Sequence, residues 1–244
     1  MPITPVPERL HRHSGTWIQV SHALHSALRW SVRLHDETGG LFDPAVRTAL
    51  ETLGYDRSYA DGLDRGEPAG ATAPSTTPVP YTLGDRGARV VRLDPGARID
   101  LGGVGKGLAA DLVAAELVTA GARAAYVSLG GDIHAAGEAP DGGWEVPLLH
   151  PAAGTPFAVH RLHEGGLVMS TPLLRAWRRG SHVHHHLIDP RTGRSARTDV
   201  IAVAVASRSA ARGEGLAKAA VVAGSRHGAD LLRGADVRAW IVTA

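Results

Sequence analysis

The spacing of apolar residues divides the chain into helical and extended stretches. Leu24, Leu28 and Val32 fall on one face of a helix expected from about Trp17, with Ser21 as an N-cap and Thr38, Gly39 and Gly40 at its end. A second helical pattern runs through Val46, Leu50 and Leu53 to Gly54, and Asp43 before Pro44 has the form of a cap with proline at the first helical position. Residues 57–87 lack any such period. They are rich in Pro, Ala, Gly and Thr and are expected to form a mobile surface loop. Short β-type runs then follow at 90–93, 99–101, 124–129, 144–149, 157–162, 166–170 and 200–206. Helical patterns cover 108–120 and 210–223, and a last helix–strand pair spans 229–242. Residues 173–179 are polar and arginine-rich, which predicts a turn or short helix. Strands and helices are interspersed without strict βαβ alternation, so the expected class is α+β with a mixed sheet and packed helices.

The stretch 99–112, IDLGGVGKGLAADL, stands out chemically. A β-type run breaks into Gly102, Gly103, Gly105 and Gly107, with Lys106 among them, and a helix pattern through Leu108 follows. Glycine lets backbone N–H groups approach a ligand, and a helix start adds partial positive charge, so this is an anion site suited to a phosphate or diphosphate. A tight turn that needs glycine for sterics alone has the same pattern. The stretch is neither a P-loop nor GxGxxG.

Composition narrows the classes. The 244 residues suffice for one large domain or two small ones, and a single domain is expected over 17–244 behind a loose polar segment, 1–16. Lys plus Arg number 26 against 24 for Asp plus Glu, a balance that calls for no nucleic-acid partner. The absence of cysteine excludes disulfides, thiolate catalysis and zinc–thiolate sites. No run approaches the ~20 apolar residues of a membrane span, and the first residues lack the apolar core of a signal peptide. A cytoplasmic protein without membrane insertion is expected.

Five motifs then fall in one order: Thr38-Gly39-Gly40-Leu41-Phe42-Asp43-Pro44; Asp100-Leu101-Gly102-Gly103-Val104-Gly105-Lys106-Gly107; Leu129-Gly130-Gly131-Asp132-Ile133; His185-His186-Leu187-Ile188-Asp189-Pro190-Arg191-Thr192-Gly193; and Gly213-Glu214-Gly215-Leu216-Ala217-Lys218. The first four resemble the T-x-G-x-FDP, DLGG-xx-KG, LGGD and HHIIDP-x-TG patterns of the ApbE family, the FAD:protein FMN transferases. The resemblance implies a T-fold-like α+β domain that binds FAD and moves its FMN half to a threonine hydroxyl of an acceptor protein, releasing AMP. It implies FAD contacts from Leu41, Phe42, Asp43, Gly102, Gly103, Lys106, Leu108, Ser170 (beside Thr171), His186 and Ile188. His186 is a candidate for acid–base assistance and Glu214 for a catalytic carboxylate. A degenerate flavin binder and an FAD pyrophosphatase are the alternative outcomes.

The resemblance also implies magnesium, with the Gly105 carbonyl and the positions of Glu214 and Lys218 as ligands. The family has A-D-A-L-A-T at the fifth motif, where this chain has G-E-G-L-A-K. Lysine is unsuited to ligate Mg²⁺, and Glu214 and Lys218 stand at i and i+4, the favourable order for an ion pair. The ammonium is expected where the metal would stand. The family usually opens on an M-G-T strand, of which Met1–Thr16 holds no counterpart. His182 and His184 are expected to be solvated, and Asp189 to shape a turn with Arg191-Thr192-Gly193. Arg175, Arg178 and Arg179 could contact phosphate, but a solvated face is the favoured expectation.

Overall fold

The structure, a computed structural model, describes residues 6–56, 78–85 and 87–244. Most of the expected loop, 57–77 together with 86, lies outside the described residues.

The centre is a sheet of strands β4 (Ala124–Leu129), β5 (Asp132–Gly137), β8 (Gly165–Ser170), β13 (Val200–Ser207) and β14 (Arg238–Thr243), in the order β14-β13-β8-β5-β4. Its two faces follow from period-two alternation. Val203, Val205 and Val168 face helices α4 (Gly105–Thr119) and α5 (Ala210–Gly234) in the main core. Ala204, Leu167 and Ile133 face the other way, where the hairpin of β6 (Trp144–Leu149) and β7 (Pro156–Leu162) covers them with Val146, Leu148 and Leu162. Pairing within these sheets is antiparallel throughout, so the α+β class holds but the sheet is antiparallel where a mixed one was expected.

Helix α2 (His22–Glu37) is capped by Ser21, whose hydroxyl accepts from the Leu24 amide at 3.2 Å. The helix begins there and not at Trp17, because β1 (Trp17–Gln19) is a strand paired with β3 (Val90–Leu93), which β2 (Tyr81–Leu83) flanks on its other side. The latter strand corrects the expectation that the whole of 57–87 is loop. The segment 1–16 is not loose over its described part: α1 (Val6–Arg12) buries Leu10, and His11 Nε2 accepts from the Ile99 amide at 3.1 Å. Residues 99–101 are extended but unpaired as a strand. They are held by α1 on one side and by the Pro44 carbonyl, which accepts from the Asp100 amide at 2.8 Å, on the other.

Helix α5 is kinked at Gly224 (φ 81°, ψ 167°), and Asp199 recaps the chain by accepting from the Ser225 amide at 3.0 Å. The helices expected at 210–223 and from 229 are its two halves. Asp111 of α4 joins the helices: its carboxylate accepts from Ser209 Oγ (2.6 Å), the Ala210 amide (2.7 Å) and the Ala211 amide (3.1 Å), and His134 Nδ1 lies 2.5 Å from it. Residues 173–179 hold a strand, β9 (Ala176–Arg179), paired with β10 (His182–His185), where a turn or short helix was expected. No helix among the described residues is long and apolar enough to cross a membrane.

Candidate functional site

Four segments far apart in sequence meet around one cavity that opens to solvent. Its walls include Leu41, Phe42 and Asp43; Asp100, Gly102 and Gly103; His186, Leu187 and Ile188; and Lys218 with Val222. Each segment is fixed locally. The Thr38 hydroxyl donates to the Leu34 carbonyl (2.6 Å) and accepts from the Phe42 amide (2.9 Å), folding the chain back over the end of α2. Asp43 accepts from the Ala45 amide at 2.7 Å and caps the 3₁₀ turn Pro44–Val46, which leads into α3 (Arg47–Thr52). Its cap role is real, and the same residue also faces the cavity. Asp189 shapes its turn as expected, accepting from the Arg191 amide at 3.0 Å.

The glycine loop is less bare than its sequence suggests. The Gly102 amide donates to Asp100 Oδ1 (2.8 Å), the amides of Val104 and Gly105 donate to the Leu101 carbonyl (3.2 and 2.9 Å), and the Gly107 amide donates to Glu214 Oε2 (2.9 Å). Two glycines serve packing. A Cβ on Gly103 would lie 2.7 Å from the Phe42 ring, and one on Gly107 would lie 2.5 Å from the Ala210 backbone. The anion already seated at the start of α4 is therefore the Glu214 carboxylate.

Behind the loop two carboxylates and two ammonium groups close a network. Glu214 Oε1 accepts from Lys218 Nζ at 2.8 Å and lies 3.5 Å from Lys106 Nζ, and Lys106 Nζ also donates to Asp132 Oδ2. Glu214 and Asp132 are each about 1% exposed. Burial pushes the Glu214 carboxyl up, but Lys218, Lys106 and the Gly107 amide outweigh it and hold it below the usual carboxylate range. Burial and the neighbouring Glu214 charge push the Asp132 carboxyl up, against the two lysines.

Magnesium does not fit this donor set. One oxygen of Glu214 is taken by an ammonium and the other by an amide, and Asp132 Oδ2 is taken by a second ammonium. Among the described residues no three His, Asp or Glu side chains are grouped to hold a metal.

Of the residues expected to contact flavin, Leu41, Phe42, Asp43, Gly102, Gly103, His186 and Ile188 line the cavity, as does Lys218. Lys106 and Glu214 do not line it; they are linked by ion pairs to Lys218, which does. Gly105, Leu108 and Ser170 do not line it. Gly105 opens α4, Leu108 is buried in the core, and Ser170 ends β8 opposite Val203. Burial, followed by the charges of Lys218 and Arg175, lowers His186 to about 3, so the ring is neutral and has no imidazolium proton to give at ordinary pH. Its Nδ1 is buried without a hydrogen-bond partner.

Sequence reasoning missed the role of Asp132, and it ranked a phosphate contact by Arg175 below a solvated face. Asp132 follows Gly130 and Gly131, both at positive φ (60° and 92°), in a turn that packs on the Lys106 stem. The LGGD motif carried that signal. Arg175 lines the cavity, and Arg179 donates to the Thr52 carbonyl at 2.5 Å, so neither belongs to a merely solvated face. His184 packs against Trp177 (ring centroids 6.1 Å apart) and is not simply solvated, whereas His182 is exposed.

Fold and site together define an α+β protein that sets a cation-lined, half-apolar crevice against the glycine-rich start of a helix. The chain belongs to the ApbE family, whose sequence profile matches residues 7–241. It is 31% identical over 212 residues to the FAD:protein FMN transferase of Rhodobacter capsulatus, covering 86% of this chain and 40% of that protein. It is 27% identical over 238 residues to the FAD:protein FMN transferase of Treponema pallidum, covering 88% of this chain and 64% of the relative. The chain thus spans less than two thirds of either relative's length. Its fold is that of the ApbE protein of Thermotoga maritima (TM-score 0.82, 22% identity, 98% of this chain and 78% of that one). The apo flavinyl transferase ApbE of Pseudomonas stutzeri is also similar (TM-score 0.77, 20% identity, 97% and 74%).

Proposed function

We propose that this protein is an FAD:protein FMN transferase. The observation that carries the reading is the cavity itself: its lining combines apolar Leu41, Phe42, Val46, Leu50 and Ile188 with Lys218, Arg175 and the glycine loop. A flavin nucleotide needs both halves of that surface, one for a ring system and one for a diphosphate.

In the reaction, the threonine hydroxyl oxygen of an acceptor protein forms a bond to the flavin-side phosphorus. The bond from that phosphorus to the bridging oxygen breaks, and AMP leaves with that oxygen. Lys106, Lys218 and Arg175 offset the charge on the phosphate oxygens. The hydroxyl proton is released to solvent as the new phosphorus–oxygen bond forms; a loose transition state asks for little base assistance, and neutral His186, its pKa lowered to about 3, lines the pocket without taking that proton. Glu214 holds Lys218 and Lys106 in place and does not act as a base.

The test is incubation with FAD and a threonine-bearing acceptor protein, followed by in-gel flavin fluorescence and assay of AMP. A fluorescent acceptor with stoichiometric AMP is expected. AMP without a labelled acceptor marks an FAD pyrophosphatase, and neither product marks a flavin binder without transfer.

A further inference from the structure

We infer that Lys218 and Lys106 take the place of a divalent cation, so that the site binds a diphosphate without metal. The inference rests on the reading of the cavity as a flavin-nucleotide site, and it names what that site uses for charge.

The first argument is charge balance. Two buried carboxylates, Asp132 and Glu214, face two ammonium groups, Lys106 and Lys218. One doubly charged ion between the same carboxylates would give the same net charge, so a metal added to the present set would leave an excess of two positive charges in a poorly solvated place.

The second is access to ligands. A small divalent cation needs oxygen donors at roughly 2.1 Å in near-octahedral array. Glu214 Oε1 is engaged by Lys218 at 2.8 Å, Oε2 by the Gly107 amide at 2.9 Å, and Asp132 Oδ2 by Lys106. An ion ligated by Glu214 Oε1 or Asp132 Oδ2 would have to displace an ammonium from a carboxylate about 1% exposed, and that ammonium would stay tethered beside it.

The third is position. The Lys218 side chain lines the cavity, and its Cδ lies 3.6 Å from where a Cβ on Gly103 would sit. The stem therefore runs against the glycine loop and brings a fixed positive charge to the wall where a diphosphate would lie. Its i,i+4 pairing with Glu214 on α5 sets that position before any ligand arrives.

The experiment follows FAD fluorescence during titration with the full chain, in EDTA and in excess Mg²⁺, alongside Mn²⁺ binding read by electron paramagnetic resonance. For the natural chain, FAD affinity is expected to agree within about twofold in the two buffers, with no Mn²⁺ bound. Lys218→Thr is expected to lose about tenfold or more in EDTA, to bind Mn²⁺, and to regain FAD affinity with Mg²⁺. Magnesium should also raise the melting temperature of Lys218→Thr and leave that of the natural chain unchanged. Lys218→Arg, which keeps the charge, should bind FAD equally in both buffers and guards against a variant that simply folds poorly.

A natural chain whose FAD affinity rises about tenfold with Mg²⁺, or that binds Mn²⁺, overturns the inference, as does a folded Lys218→Thr that takes no metal. If FAD binds under neither condition, the flavin reading fails instead. Exclusion of Mn²⁺ by the natural chain and its uptake by Lys218→Thr would still support the exchange of lysine for metal.

Discussion

Glu214 shows how one side chain can be both structural and chemical. It sits on α5, satisfies the start of α4 through the Gly107 amide, and anchors Lys218 and Lys106. Glu214→Gln keeps an acceptor for the amide but removes the charge, leaving the Lys218 ammonium, 15% exposed, without its carboxylate. Breaking one half of a buried ion pair costs about 3 kcal/mol, and a loss of that order in urea unfolding is expected; a change below about 0.5 kcal/mol would contradict the network. The i,i+4 pair itself was legible, because helix geometry dictates it. The engagement of Asp132 was not: Lys106 and Asp132 are 26 residues apart and meet only because the β4–β5 turn packs on the lysine stem. The neutrality of His186 was equally hidden, since it comes from burial and from lysine and arginine on other elements.

At the level of elements, the contact between α4 and the start of α5 decides where the glycine loop stands. Two opposing effects act on Gly107. Replacing a helical glycine by alanine stabilises a helix by about 0.5–1 kcal/mol through chain entropy. Here the added Cβ would lie 2.5 Å from the Ala210 carbonyl, with backbone on both sides and no side chain able to yield. Overpacking of this kind costs about 1–3 kcal/mol, so Gly107→Ala is expected to destabilise by about 1–2 kcal/mol net. Gly105→Ala, where nothing lies within 4 Å of the new Cβ, is expected to be neutral or slightly stabilising. Paired thermal melts check both, and equal effects at the two positions would remove the packing argument.

Elements with a clear apolar period were legible, including β4, β6 and the first half of α5. Those whose order comes from partners were not. The sequence of β5, DIHAAG, is too short and small to signal a strand, yet it lies between β4 and β8. The α1 sequence looks polar because its order rests on one buried leucine and on a charged cluster. In that cluster Glu8 approaches Arg47 and Arg98, which both bind Glu51 (2.6 and 2.9 Å).

Across the whole molecule, histidines set the response to acid. His11, His25, His160, His184, His185 and His186 all have pKa values below the ordinary 6.5, with burial the largest cause in each case. They belong to both sides of the fold, from α1 and α2 to the hairpin of β6 and β7 and the cavity wall. Unfolding exposes each ring to water and restores its ordinary affinity for a proton. Below about pH 6.5 the unfolded chain therefore binds more protons than the native one, and stability falls as pH falls; above it the contribution is fully present. This window lies above that of Glu214, whose lowered pKa matters only as pH drops through the carboxylate range, and Asp132, raised, works in the opposite sense there. His186, the histidine lowered to about 3, would contribute up to about 1.4 kcal/mol per pH unit until that folded value is approached. Urea midpoints are expected to change little between pH 7.5 and 6.5 and to fall from about pH 6.5 to 5.5, and His186→Gln should flatten part of that slope. A midpoint that does not move over this interval would mean that these rings are already open to solvent in the native state, and the closed cavity wall that the flavin site requires would fail with them.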